Sequence, residues 1–202
     1  MKPYKNENIQ EKEIRVDGRL RLPPGQRLTE GWPVLHYGAI PRLELSNWQF
    51  HAWGLVDEER KWDWEEFNTL GTIKDTSDIH CVTTWSKYDN NWEGIPFAAF
   101  LEEVKPKATA KYVMAHSYGG YTTNIPLKDL KKDGVLFAHS HNGKPLDQEH
   151  GWPLRLVVPE LYFWKSPKWI GGIQFLDEDR AGFWETYGYH IYGDPWEEQR
   201  YS

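Results

Sequence analysis

Cys81 is the only cysteine among 202 residues, and it stands in Ile79-His80-Cys81-Val82-Thr83-Thr84-Trp85-Ser86, upstream of Trp92-Glu93-Gly94-Ile95-Pro96. One thiol cannot close an internal disulfide, and it cannot build a Cys₄ zinc site or an iron–sulfur cluster. It can serve as a nucleophile, or give one soft ligand to a metal that arrives with its other ligands attached. A lone cysteine is equally at home as a small buried hydrophobe. A second constellation is His139-Ser140-His141. A strand would point its two imidazoles to one side, and with His150 or His116 they could hold zinc or non-haem iron. The Asn142-Gly143 turn that follows argues instead for an exposed loop end.

Strands and short helices must position these groups. Trp48 to Val56 alternates as a strand, turns at residues 57–60 into a second strand, and leads to Asp63, a suitable cap for a short helix over Trp64 to Leu70. Asp78 to Thr84 reads as a strand carrying Cys81. Pro96 fits the first turn of a helix through Glu103, and Pro126 starts another. Lys111–Ala115, Val135–Ser140, Leu154–Val158 and Trp169–Phe175 read as further strands, and Phe183–Tyr189 as a short helix or turn. The prolines at 23, 24 and 33 mark an extended arm, and residues 1–13, which are polar, are expected to be loosely ordered. The pattern predicts an α+β fold with a mixed sheet. A polar N-terminal arm spans 1–19 and one domain spans 20–202, with no linker dividing it.

Composition narrows the functions. A net charge of -6 argues against general nucleic-acid binding. No run of about 20 apolar residues is present to span a membrane, and the start lacks an apolar signal region, so the expected location is cytoplasmic. Twelve tryptophans and eleven tyrosines suit either a deep pocket for a planar ligand or an ordinary core.

The Cys81 segment, together with Trp92-Glu93-Gly94-Ile95-Pro96, resembles the molybdenum-ligating cysteine segment of the sulfite oxidase-like family, and is most similar to its bacterial single-domain branch. Four other stretches fit in the same order: Val34-Leu35-His36-Tyr37-Gly38-Ala39-Ile40-Pro41, Tyr121-Thr122-Thr123-Asn124-Ile125-Pro126-Leu127, residues 149–159, and Ser166-Pro167-Lys168-Trp169-Ile170. The resemblance implies a molybdopterin-binding fold and a molybdenum cofactor (a metal held by two dithiolene sulfurs), with Cys81 as the protein's metal ligand. It implies pterin contacts from His36, Tyr37, Ser117 and His150, and a grip on the phosphate-bearing end from Arg155, Ser166 and Lys168. It also implies a catalytic Tyr121, as donor or acid to an oxygen at the metal. Arg and Lys are the side chains such a phosphate needs.

The pattern departs from the sulfite-oxidising members at two places. Leu35 and Ser86 stand where those members carry arginines for the anionic substrate. The expected activity is therefore oxygen-atom transfer on a small S- or N-oxide rather than on sulfite. The expected partners are a small-molecule substrate and a separate electron donor or acceptor, because the chain holds no cysteine cluster for an electron relay. The alternatives are a His-ligated zinc or non-haem iron enzyme, and a non-catalytic binding module using aromatic surface.

Overall fold

A computed structural model describes residues 13–202; the expectation for residues 1–12 lies outside them. The strands are β1 (Arg27–Leu28), β2 (Phe50–Gly54), β3 (Arg60–Trp62), β4 (Ile73–His80), β5 (Trp85–Pro96), β6 (Tyr112–Ser117), β7 (Thr122–Pro126), β8 (Leu136–His141), β9 (Lys144–Pro145), β10 (Arg155–Val157) and β11 (Ile170–Leu176). Four short α-helices join them: α1 (Trp64–Asn68), α2 (Phe97–Val104), α3 (Leu127–Leu130) and α4 (Phe183–Thr186).

The strands form two sheets. One runs β1-β5-β8-β10, with β4 added on β5 and β9 on β8; the other runs β3-β2-β11-β6-β7. Each contains one parallel pair, β1 with β5 and β2 with β11. This is the expected α+β class with mixed sheets. Side chains from both sheets meet in one core, where Phe50, Phe67, Phe97, Phe100 and Phe137 are fully buried and mutually packed. A smaller cluster holds Ile79, Cys81, Val82, Trp85, Trp92 and Val157. No helix among the described residues is long and apolar enough to cross a membrane.

Local chemistry sets the ends of the helices. Asp63 accepts from the Glu66 amide at 2.9 Å while Glu66 accepts from the Asp63 amide at 3.0 Å, a reciprocal capping box. Prolines 96 and 126 occupy the N-cap positions of α2 and α3, where a missing amide costs nothing. The long strand β5 escaped the sequence pattern because its middle, Lys87-Tyr88-Asp89-Asn90-Asn91, reads as a loop. Asp89 takes φ +54° there, and the buried Asn90 side chain donates to the carbonyls of Ser77 and Lys87. β7 was missed for a similar reason: Thr-Thr-Asn alone carries no apolar alternation, and its partner β6 supplies the register.

One placement differs from expectation in a way that matters. Cys81 is not inside a strand. β4 stops at His80, and residues 81–84 make the turn of the β4–β5 hairpin.

Candidate active site: a thiol and two uncompensated cations around one cavity

The turn that carries Cys81 is tight. The Cys81 amide donates to the Trp85 carbonyl at 2.8 Å, and the Thr84 amide donates back to the Cys81 carbonyl at 3.0 Å. Thr84 takes φ +75°, an uncommon conformation for a β-branched residue, and such strain collects at functional turns. Cys81 is 9 % exposed. Its Sγ contacts Thr83 Oγ1 at 3.1 Å, and no basic side chain among the described residues hydrogen-bonds it. Burial raises the thiol above its ordinary value, against a smaller opposing contribution from Thr83. A nucleophile requires the reverse. A metal ion would itself hold the sulfur as thiolate.

Cys81 opens onto a cavity of about 260 Å³. Arg155 and Lys168 line the same cavity. Arg155 is 2 % exposed; its Nη1 and Nη2 donate to the carbonyls of His150 and Ser166, both at 2.8 Å. Its Nε is buried without a partner. Lys168 donates to the Glu149 carbonyl at 2.6 Å. Among the described residues no carboxylate pairs with either cation. Burial, with only Asp147 opposing it, lowers the Arg155 guanidinium to about 9. Burial and then repulsion from Arg155 lower the Lys168 ammonium to about 7. A buried guanidinium with an orphaned donor and a half-buried ammonium, neither ion-paired among the described residues, are what an anionic ligand would complete.

A linkage follows for the ligand-free protein. Lys168 is depressed in the fold but ordinary when unfolded, so the unfolded chain binds more protons between about pH 7 and the usual lysine range. Stability therefore rises with pH across that window. Lys168→Met is expected to flatten this rise in Tm, measured between pH 6 and 9 on cofactor-free protein. It is also expected to raise Tm below pH 7 by roughly 2–4 °C for each kcal/mol of relieved penalty. Identical pH slopes in the two proteins would contradict the uncompensated charge.

Gly151 allows the two cations to approach. It takes φ +117°, and a Cβ there would lie 3.1 Å from Arg155 Cβ and from Lys168 Cβ, and 3.2 Å from Lys168 Cα. Gly151→Ala is expected to cost about 1–3 kcal/mol, roughly 2–12 °C in Tm, and to weaken anion binding with it. An unchanged melting curve would argue against the close approach.

Tyr121 lies at the start of β7, where the β6–β7 hairpin delivers it to the cavity. Its hydroxyl donates to the Trp164 carbonyl at 2.7 Å, and burial followed by the Glu185 charge holds the phenol well above its ordinary value. Its single proton is committed to a backbone acceptor in this arrangement. Behind it lies a buried network. Glu185 Oε1 accepts from Lys165 Nζ at 2.6 Å, from Trp164 Nε1 at 2.9 Å and from Thr123 Oγ1 at 3.0 Å.

The structure brings eight of the nine expected site residues to one cavity: His36, Tyr37, Cys81, Tyr121, His150, Arg155, Ser166 and Lys168. His36 and Tyr37 are exposed at its mouth. Ser166 Oγ accepts from the Val158 amide at 2.9 Å, so the hydroxyl also fixes the backbone. Both ring nitrogens of His150 are engaged, by Asp147 and by the Trp32 carbonyl. Ser117 is not among the residues that line the cavity; it ends β6 opposite Ile170, with its amide donating to the Tyr121 carbonyl and its hydroxyl buried without a partner among the described residues. Sequence reasoning missed Trp32, which stacks on His150 at 3.9 Å and lies over Arg155 at 5.3 Å. The tryptophan-rich composition was its only signal. Trp164, Trp184 and Tyr189 complete the aromatic wall.

The family described as the oxidoreductase molybdopterin binding domain matches residues 37–184. The chain is 46% identical over 183 residues to YuiH, an uncharacterized oxidoreductase of Bacillus subtilis (strain 168), covering 90% of this chain and 92% of that protein. It is 25% identical over 167 residues to the protein-methionine-sulfoxide reductase catalytic subunit MsrP of Ralstonia nicotianae, covering 75% of this chain and 50% of that one. The chain thus spans half the length of MsrP. Among solved structures, the sulfane dehydrogenase SoxCD from Paracoccus pantotrophus superposes with a TM-score of 0.65 at 21% identity, over 71% of this chain and 41% of that one, a likeness of fold.

Proposed function

The chain belongs to the oxidoreductase molybdopterin-binding family, and on that premise we propose that it reduces a small, uncharged S- or N-oxide at a molybdenum centre ligated by the Cys81 thiolate. The chain is a molybdenum cofactor-dependent oxidoreductase; the ligand and the substrate are the proposal. The observation that carries it is the polarity of one cavity, with a single unassisted thiol on its wall and two cations lacking counter-ions, Arg155 and Lys168. The bound cofactor supplies the metal, its sulfur ligands and the two-electron chemistry. Cys81 adds one sulfur ligand; Arg155 and Lys168 hold the anionic end, with Trp32 and His150 stacked beside them; the aromatic wall excludes water.

The substrate half of the reading rests on what surrounds Cys81. Val82, Thr83, Trp85, Leu35, Trp184 and Tyr189 line the cavity and carry no positive charge. Ser86, where an anion-binding arginine stands in sulfite-oxidising relatives, is fully buried with its hydroxyl at 2.8 Å from His80 Nδ1. A dianion would enter this space unpaired. The name of the Ralstonia relative, a reductase of protein methionine sulfoxide, supports the S-oxide class. Reduction of such a substrate consumes two electrons and two protons and releases water, so a separate electron donor is part of the proposal.

The test uses protein purified from a host that makes the cofactor. The expected result is about one molybdenum and one pterin per chain, and turnover of sulfoxides or N-oxides with a reduced dye, without sulfite oxidation. Protein free of molybdenum and pterin would overturn the proposal. The zinc or iron alternative gains nothing from the fold: among the described residues no three His, Cys, Asp or Glu side chains are grouped to hold a metal. His139 and His141 are bonded instead to Ser140 Oγ and Asn90 Oδ1.

A further inference from the structure

The turn that carries Cys81 turns its carbonyls outward, and segments from both ends of the chain satisfy them. From the N-terminal side, Gln26 Nε2 donates to the Cys81 carbonyl at 3.0 Å, and the Arg27 amide donates to the Thr84 carbonyl at 2.9 Å. From the C-terminal side, Arg200 Nη1 donates to the Val82 carbonyl at 2.7 Å. Arg200 Nη2 reaches the Pro24 carbonyl at 3.4 Å, so one guanidinium ties the two terminal segments together across the turn. The Arg200 side chain is only 14% exposed and lies over the Tyr162 ring at 5.0 Å. Gly25, at φ +67°, leaves room for this corner: a Cβ there would fall 2.5 Å from Glu198 Oε1 and 3.1 Å from Arg200 Nη2.

A hairpin turn with a β-branched residue at positive φ does not hold its shape by local preference. Its internal bonds run from the Cys81 and Thr84 amides, which leaves the Val82 carbonyl dependent on Arg200. Gln26, Arg27 and Arg200 all lie outside residues 37–184, the stretch that matches the family.

We propose that Arg200 is a positioning residue for Cys81, and that together with Gln26 it fixes the turn from outside the common domain so that Sγ faces the cavity in one orientation. The proposal rests on the reading of Cys81 as the metal ligand. Outer partners of a metal ligand typically govern 10–100-fold in activity or affinity. The guanidinium approaches the turn through a backbone carbonyl, so its contribution is to orientation rather than to chemistry.

The test compares loaded wild-type protein with Arg200→Met, Arg200→Lys and Gln26→Leu. In Arg200→Met, pterin content is expected to stay within about twofold of wild type, because Arg155 and Lys168 are untouched. The electron paramagnetic resonance spectrum of the half-reduced metal is expected to shift, and kcat to fall about tenfold with KM little changed. Arg200→Lys, which keeps one donor for Val82, is expected to recover most of the wild-type spectrum and rate. Hydrogen exchange at the Cys81 and Thr84 amides is expected to quicken in Arg200→Met even without cofactor. If Arg200→Met does not fold, Gln26→Leu carries the same spectral and exchange tests. Wild-type spectra, kcat and exchange in Arg200→Met, or in Gln26→Leu where that substitutes for it, would overturn the inference. Wild-type protein lacking metal would instead defeat the ligation reading. The exchange measurement would then still decide whether Arg200 holds the turn.

Discussion

Cys81→Ser protein is expected to fold and to be inactive. The only hydrogen bond of Sγ among the described residues is with the Thr83 hydroxyl, which a serine hydroxyl can also make, so the change is small in volume and leaves no buried group stranded. The expected cost to stability is about 1 kcal/mol or less. Turnover is expected to fall about a thousandfold or more, equivalent to about 4 kcal/mol of transition-state stabilisation, because oxygen is a poor substitute for a soft thiolate at a sulfur-rich metal. Pterin should largely remain, held by Arg155 and Lys168. The measurements are metal and pterin content, Tm and steady-state rate on the same preparation. A serine variant turning over near the wild-type rate would remove Cys81 from the metal.

Glu185→Gln is expected to be the most damaging single change to stability. Lys165 is fully buried and Glu185 is 8 % exposed. The Lys165 ammonium also donates to the Asn124 and Ile191 carbonyls at 2.9 and 2.7 Å, but Glu185 is the only carboxylate within ion-pair distance of it among the described residues, with Asp179 acting from farther away. Burial lowers the ammonium and Glu185 opposes that shift. Neutralising the carboxylate while keeping its shape strands a buried charge, at an expected cost of about 3–5 kcal/mol. For a chain of this size that corresponds to a fall in Tm of roughly 6–20 °C. The same carboxylate holds the Trp164 indole, and the Trp164 carbonyl holds Tyr121, so cofactor retention is expected to fall as well. The double change Lys165→Met with Glu185→Leu removes both charges and is expected to cost less than the sum of the single changes. Thermal melts of the wild type, Lys165→Met, Glu185→Leu and the double variant give the coupling directly, and an additive cycle would contradict a buried pair.

The aromatic and proline signals of the chain are local, and they were legible. The capping box at Asp63, the prolines that begin α2 and α3, and the alternation of β2 and β11 depend on neighbours a few residues apart. β5 was not legible, because its polar centre is held by Asn90 and by strands β4 and β8 rather than by its own pattern. The same distinction runs through the site. Residue types and the order of the motifs were enough to select Cys81, Arg155 and Lys168, since a lone thiol and paired cations limit the chemistry that is possible. Sequence order also suggested Ser117, and hairpin geometry left it outside the cavity while carrying Tyr121 in.

By itself, then, the sequence determined the reactive groups and their family, because thiolate softness and guanidinium charge are properties of single side chains. Only the tertiary structure decided that Trp32 stacks on His150, 118 positions away, that no carboxylate among the described residues pairs with Arg155, and that Gln26 and Arg200 close on one turn from opposite ends of the chain. Burial, the presence or absence of a counter-ion, and the direction of a hydrogen bond are relations between distant segments. They come into being when the two sheets pack, and no local pattern encodes them.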